Sequence, residues 1–139
     1  MYNYFYRGQS YYDNGDYDKA INDYTRYITY LNSEYLPLDA HSKDAFIYYD
    51  SAARAYLERG NAYVQKDNYS RAIDDYAQVI AINPKNSLAY HNRGCAYIAL
   101  HNYDSAIIDL QHAVALDPEN ERYREILQVA YDAKKKSER

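Results

Sequence analysis

An all-α solenoid of antiparallel helix pairs, about seven helices in all, is the fold class this sequence predicts. Three observations predict it. One phrase recurs three times, as Tyr4-x2-Arg7-Gly8-x2-Tyr11, Tyr56-x2-Arg59-Gly60-x2-Tyr63 and Tyr90-x2-Arg93-Gly94-x2-Tyr97. Each copy continues at equal offsets: Tyr17, Ala20-Ile21 and Asp23-Tyr24; Tyr69, Ala72-Ile73 and Asp75-Tyr76; Tyr103, Ala106-Ile107 and Asp109-Leu110. The last two glycines lie 34 residues apart and the first two 52, which is 34 with an insertion of 18. A period near 34 with this spacing of small and aromatic residues marks a helical repeat array.

The first copy, residues 1–32, opens with an inner helix. Tyr4, Arg7, Gly8 and Tyr11 stand at i, i+3, i+4 and i+7 and so share one face. Asp13-Asn14-Gly15-Asp16 is a polar turn, matched later by Lys66-Asp67-Asn68 and Leu100-His101-Asn102. An outer helix follows, with Tyr17, Ala20, Ile21, Tyr24 and Tyr27-Ile28 again on the helical period. Glycine inside a helix costs about 1 kcal/mol against alanine. Its recurrence at 8, 60 and 94 therefore needs a packing reason, and Ala20, Ala72 and Ala106 are the small residues expected opposite it.

Residues 33–52 are the insertion. Pro37 breaks the first outer helix, which is expected to continue through Tyr30, Leu31 and Tyr35, and Asp39 or Ser42 caps a new one. From Ser42 to Gln65 there is no proline and the first glycine is Gly60, so the second inner helix starts two to three turns early. The two extensions form a hairpin carrying Tyr35, Leu36, Leu38, Phe46, Ile47, Tyr48 and Tyr49, much apolar surface to leave in water. Three readings stand. The rings cover each other and the bulky Tyr27; or Tyr35, Phe46, Ile47, Tyr48 and Tyr49 join two copies of the chain; or the segment folds over the neighbouring groove.

The second copy, 53–84, ends in Asn83-Pro84 and the third, 85–118, in Asp117-Pro118. Each proline stops its outer helix. Residues 119–139 are expected to form a capping helix with a basic tail. Its Lys134-Lys135-Lys136 is read as cations placed near a helix C-terminus rather than as a docking patch. Arg7, Arg59 and Arg93 recur with Asp23, Asp75 and Asp109, which suggests a structural ion pair between helices or between repeats. Replacing Arg59 with Leu is then expected to be tolerated, and loss of Asp75 alone to destabilise by leaving a charge unpaired.

Composition narrows the function. The 139 residues make one domain, with 21 tyrosines, two phenylalanines and no tryptophan. Tyrosine rings want burial while their hydroxyls want partners, so many should lie at the edge of the core. A net charge of −4 argues against nucleic acid. Cys95 is the only cysteine, so no internal disulfide forms and a reducing compartment is expected. No apolar run has the length of a signal peptide or a bilayer span, and a soluble cytoplasmic protein without membrane contact follows. Met1 falls at the start of a repeat, which also fits a segment cut from a longer protein.

On these residues the chain resembles a tetratricopeptide repeat protein over 1–32, 53–84 and 87–118. It departs where the family often has Leu, at Arg7, Arg59 and Arg93, and where the family has a small residue, at Tyr27; Val79 and Ala113 stand there in the other copies. The resemblance implies a right-handed superhelix with the inner helices on a concave face, and a peptide or protein segment held there. Its groove positions fall on Tyr2, Phe5, Gln9 and Tyr12; Arg54, Leu57, Asn61 and Val64; Leu88, His91, Cys95 and Ile98. Glu58 and Asn92 flank them, with Arg122 at the capping end. Tyr2 and Phe5 serve either as aromatic anchors or as the shield of an uncapped first repeat.

The family's clamp for the acidic C-terminal tails of heat-shock chaperones needs three cations and two asparagines. The matching residues are Phe5, Gln9, Glu58, Leu88 and Asn92, where two cations are replaced by apolar residues and one by an amide, and Glu58 would repel a carboxylate. One repeat later they are Leu57, Asn61, Asn92, Arg122 and Ile126, with two cations still missing. The clamp has little support.

Catalysis has less. His91 and Cys95, four apart on one helix face, have the spacing of a metal pair or a thiol–imidazole dyad, but no third partner lies nearby in sequence. Asp74-Asp75 and Asp16-x-Asp18 do not pair on one face, and no phosphate-binding glycine loop is present. A non-enzymatic interaction module without a cofactor is expected. Its partner is an unidentified protein or peptide, and the alternative is a self-associating scaffold that uses the insertion.

Overall fold

The computed structural model describes residues 2–35 and 41–139. Seven helices form there: α1 Tyr2–Asp13, α2 Tyr17–Tyr35, α3 Lys43–Gln65, α4 Tyr69–Ile82, α5 Ser87–Ala99, α6 Tyr103–Leu116 and α7 Glu121–Ser137. Each packs chiefly on the next in sequence, while α1, α3, α5 and α7 meet one another only lightly. The result is an all-α solenoid of stacked helix pairs, closed at its C-terminal end by α7.

Asparagine starts most of these helices. The side chains of Asn68, Asn86, Asn102 and Asn120 accept from the backbone N–H three residues on, and Ser42 does the same for Ala45. Such caps satisfy donors that have no partner within the helix. The turns before α2, α4 and α6 share a second device. Gly15, Asp67 and His101, at one position of the repeat, all take positive φ, at 80, 56 and 59°.

The repeated glycines meet a different partner from the one expected. A Cβ at Gly8 would lie 2.8 Å from Tyr24 Cε1, one at Gly60 2.7 Å from Tyr76 Cε1, and one at Gly94 2.7 Å from Leu110 Cγ. The alanines at 20, 72 and 106 are fully buried, but the side chain each glycine admits is the large one four residues later. Flat rings or a branched Leu thus fill the seam between inner and outer helix.

The ion pairs form within each repeat. Arg7 donates from Nε and Nη2 to the Asp23 carboxylate at 2.7 and 2.8 Å, Arg59 to Asp75 at 2.9 and 2.7 Å, and Arg93 to Asp109 at 2.7 and 2.8 Å. Arg59 also donates from Nη1 to Thr25 Oγ1 at 3.1 Å and so ties the first repeat to the second. Tyrosines flank each guanidinium: Tyr4 and Tyr11 for Arg7, Tyr56 and Tyr63 for Arg59, Tyr90 for Arg93. A planar cation between ring faces explains why Arg stands where Leu would otherwise pack.

The insertion lengthens α2 as far as Tyr35 and starts α3 at Lys43, behind the Ser42 cap. Its rings partly cover each other. Tyr48 is buried, donates its hydroxyl to Asn32 Oδ1 at 2.8 Å and lies against Tyr35 with ring centroids 6.3 Å apart. These join a core of Phe5, Tyr24, Tyr27, Ile28, Leu31, Ala52 and Ala55. Phe46, 74% exposed, and Tyr49, 43% exposed, stay outside it. Leu36, Pro37, Leu38 and Asp39 lie outside the described residues.

Candidate functional site

The inner helices bring five of the expected groove residues together. Tyr12 of α1, Asn61 and Val64 of α3, and Asn92 and Cys95 of α5 line one open crevice of about 290 Å³. Gln65, Tyr69, Tyr76, Ala96 and Ala99 complete it, and none of these was expected at the groove from the sequence. Tyr76 could have been: its ring crosses Gly60, and only a groove-side polar group can receive the hydroxyl that emerges.

That group is Asn61. Tyr76 donates to Asn61 Oδ1 at 2.7 Å, and Asn92 Nδ2 donates to the same oxygen at 3.1 Å. Two donors on one oxygen fix the orientation of the Asn61 amide and leave its Nδ2 as a donor. Asn92 Oδ1 remains as an acceptor. The Asn61 amide also favours the charged form of Glu58 one turn earlier, against the burial that raises the Glu58 pKa. Burial likewise raises the pKa of Tyr12, opposed by a hydrogen bond from Gln65. Burial pushes the Tyr76 hydroxyl well above the usual phenol range, so it is a permanent donor at neutral pH.

The remaining expected residues are distributed differently. Phe5 is not on the groove surface: at 4% exposure it packs on Tyr24 and Tyr27, with the Arg54 guanidinium over its ring at 5.0 Å. Its anchor role is thus replaced by a core role, because the large Tyr27 leaves it no way out. Arg54 and Leu57 line a second cleft, of about 340 Å³, with Phe46, Tyr49, Ile82 and Asn86. Ile98 packs on the C-terminal core, Leu88 is 44% exposed, and Gln9 is half-buried. Arg122 is exposed, and its charge acts on His91 and Cys95. The Tyr2 side chain lies outside the described residues.

His91 and Cys95 do adjoin, with Nε2 and Sγ 3.7 Å apart. The imidazole stacks on Tyr123 at 4.6 Å, and its Nδ1 is buried with no hydrogen-bond partner. Burial, then the charge of Arg122, lowers the His91 pKa; burial raises that of Cys95 against Arg122. A neutral thiol beside a neutral imidazole is a poor nucleophile. Among the described residues no group of three or more His, Cys, Asp or Glu side chains is placed to hold a metal ion. No described helix is long and apolar enough to cross a membrane.

Comparison with known proteins bears on the fold and the family. No curated protein sequence matches the chain. Among solved structures, the first tetratricopeptide repeat domain of Spaghetti (RPAP3) bound to the HSP90 peptide SRMEEVD is 25% identical. It covers 94% of this chain and 89% of its own, with a TM-score of 0.75. The second such domain of human RPAP3, in complex with the HSP70 peptide SGPTIEEVD, is 26% identical over 90% of this chain and 89% of its own, TM-score 0.71. The C-terminal repeat domain of a Plasmodium falciparum protein reaches a TM-score of 0.88 at 18% identity, over 99% of this chain and 89% of its own. Two models of the tetratricopeptide repeat match residues 5–87 and 60–130. On that match and the stacked helix pairs, the chain belongs to the tetratricopeptide repeat family.

Proposed function

We propose that this protein is a non-catalytic interaction module that holds a peptide or an extended segment of a partner protein against the inner helices. The observation that carries this reading is the Tyr76–Asn61–Asn92 network. It presents an amide donor and an amide acceptor, already oriented, in a crevice with apolar walls at Val64, Ala96 and Ala99. A peptide backbone offers the complementary pair at every residue. Because the hydrogen bonds that orient the amides exist before the ligand arrives, little free energy is spent on ordering the site. The two RPAP3 domains, similar in fold and at 25% and 26% identity, are recorded with bound peptides, which supports the same use here. A net charge of −4 and an unpaired Cys95 fit a protein partner in a reducing compartment such as the cytoplasm.

The test is crosslinking capture from the native cell with the wild-type chain and the Asn61→Arg/His91→Glu double variant. The variant is expected to lose the captured partner while keeping its helical content and its sedimentation behaviour. Equal capture by both chains would show that the groove is misassigned.

A second reading rests on Phe46 and Tyr49, which stand exposed on α3 beside the cleft lined by Arg54, Leu57 and Ile82. In it the insertion joins two copies of the chain. Sedimentation at several concentrations should then show a dimer that Phe46→Asp/Tyr49→Asp dissociates; a monomer throughout removes this reading.

A further inference from the structure

The repeat brings the same three positions together three times, and the three sets differ in chemistry. Each takes the residue after the repeat glycine, the side chain crossing that glycine, and a residue from the next inner helix. In the middle these are Asn61, Tyr76 and Asn92, all amide or hydroxyl and mutually hydrogen-bonded. One repeat towards the C-terminus they become Cys95, Leu110 and Ile126, with Leu110 and Ile126 in one apolar cluster. One repeat towards the N-terminus they are Gln9, Tyr24 and Glu58. These positions therefore run from acidic through amide to apolar, with the Arg122 charge acting on Cys95 in the last set.

The acidic set is the incomplete one. Tyr24 crosses Gly8 as Tyr76 crosses Gly60, at 2.8 and 2.7 Å, so its hydroxyl is carried to the corresponding place. There it is buried without a hydrogen-bond partner among the described residues, whereas that of Tyr76 is bonded. Glu58, Asp13 and Tyr12 are the groups whose charges act on it. Glu58 is half-buried and, among the described residues, is in no ion pair; the Asn61 amide bonds it, and the Arg54 guanidinium, whose charge also acts on it, lies over the Phe5 ring. A buried hydroxyl with a free oxygen, a carboxylate held by an amide but by no ion pair, and the face of Tyr12 make up a set that a cationic side chain complements.

We propose that Glu58, Tyr24, Gln9 and Tyr12 form a subsite for a lysine or arginine side chain of the bound peptide, so that this groove selects basic segments. The cation donates to the Glu58 carboxylate, above the buried Tyr24 hydroxyl, the peptide backbone lies along Asn61 and Asn92, and an apolar residue follows towards Cys95 and Ile126. The inference rests on the groove reading above. It separates this chain from the RPAP3 domains recorded with SRMEEVD and SGPTIEEVD, peptides that end in two glutamates, a valine and an aspartate.

The probe is a positional-scanning library of N-acetylated, C-amidated nonapeptides, bound to the purified full chain. The wild type is expected to enrich Lys or Arg at one position by roughly tenfold or more, since truncating one partner of a desolvated charge pair costs at least that. Glu58→Gln should keep peptide binding but lose the enrichment, and Glu58→Lys should invert it towards Asp and Glu. Wild-type binding with no basic preference, or a preference that survives in Glu58→Gln, overturns the inference and leaves the groove reading standing. Binding no stronger than to the Asn61→Arg chain overturns the groove reading and this inference with it.

Discussion

Asp75 is the more deeply buried partner of its bidentate pair with Arg59: the Asp75 side chain is 5% exposed and the Arg59 side chain 17%. The same order holds for Asp23 with Arg7, at 4 and 44%, and for Asp109 with Arg93, at 4 and 21%. Burial, with the neighbouring Asp74 charge, raises the Asp75 pKa against the pull of Arg59 and Arg71. The expectation that Arg59 is the dispensable member is therefore reversed. Arg59→Leu strands a carboxylate that water cannot reach, at a cost of about 3 kcal/mol. Asp75→Asn leaves a guanidinium that can turn outward and keeps an acceptor, at roughly 1–2 kcal/mol. Urea denaturation at pH 7 reads both. Equal midpoints for the two variants would show that burial does not set the asymmetry.

What the sequence carried was periodicity, and periodicity reports whatever every copy needs. Helix pairs, seam glycines, Arg–Asp pairs and the early start of α3 behind Ser42 were all readable for that reason. Depth within the fold was not. Phe5 sits at a groove position of the repeat, but the Tyr27 ring beside it and Arg54 above it bury it, and neither neighbour recurs in the other copies. Gln65 and Tyr76 entered the crevice unseen because their roles depend on contacts across helices: Gln65 with Tyr12, and Tyr76 with Asn61. The alanines were misjudged for a similar reason. Smallness suggested the partner of a glycine, whereas a ring edge is what a missing Cβ admits.

Gly60→Ala tests that seam. The added methyl would stand 2.7 Å from Cε1 of Tyr76, a ring 1% exposed whose hydroxyl is tied to Asn61. Helix propensity favours alanine by about 1 kcal/mol, while forcing a group into a packed seam costs about 1–3 kcal/mol. The clash wins, and a net loss of about 1 kcal/mol is expected in thermal unfolding. Because the ring must tilt, the Tyr76–Asn61 bond is displaced as well, so peptide binding should weaken in the folded variant. A more stable Gly60→Ala chain would mean that the ring yields freely.

The turns offer the opposite experiment. Asp67 and His101 hold φ of 56 and 59° where the first repeat has Gly15. A residue with a Cβ pays about 1 kcal/mol or more in that region, partly offset here by local bonds. The Tyr69 hydroxyl donates to Asp67 at 3.0 Å, and His101 Nδ1 lies 2.8 Å from the Tyr103 hydroxyl. Both bonds are exposed and so weak. Asp67→Gly is expected to stabilise by about 0.5 kcal/mol, as is His101→Gly, with additive effects because they serve separate turns. Chemical denaturation of the two single variants and the double variant decides it.

Glu58 gives the pH dependence, and its sign separates a binding role from a structural one. Burial raises its pKa above the ordinary value of 4.5; the Asn61 amide and the Arg54 charge oppose this, and Asp13 adds to it. A carboxyl whose pKa is higher folded than unfolded destabilises the native state whenever it is charged. That cost is complete above the folded pKa, shrinks as pH falls towards 4.5, and is gone below it. Glu58→Gln should therefore melt higher than the wild type at pH 7 and no higher at pH 4. A basic peptide supplies a closer countercharge, so at one saturating concentration it should raise the wild-type melting point more than that of Glu58→Gln and narrow the gap at pH 7. Were Glu58 a structural residue, Glu58→Gln would instead melt lower at pH 7 and the peptide would not distinguish the two chains.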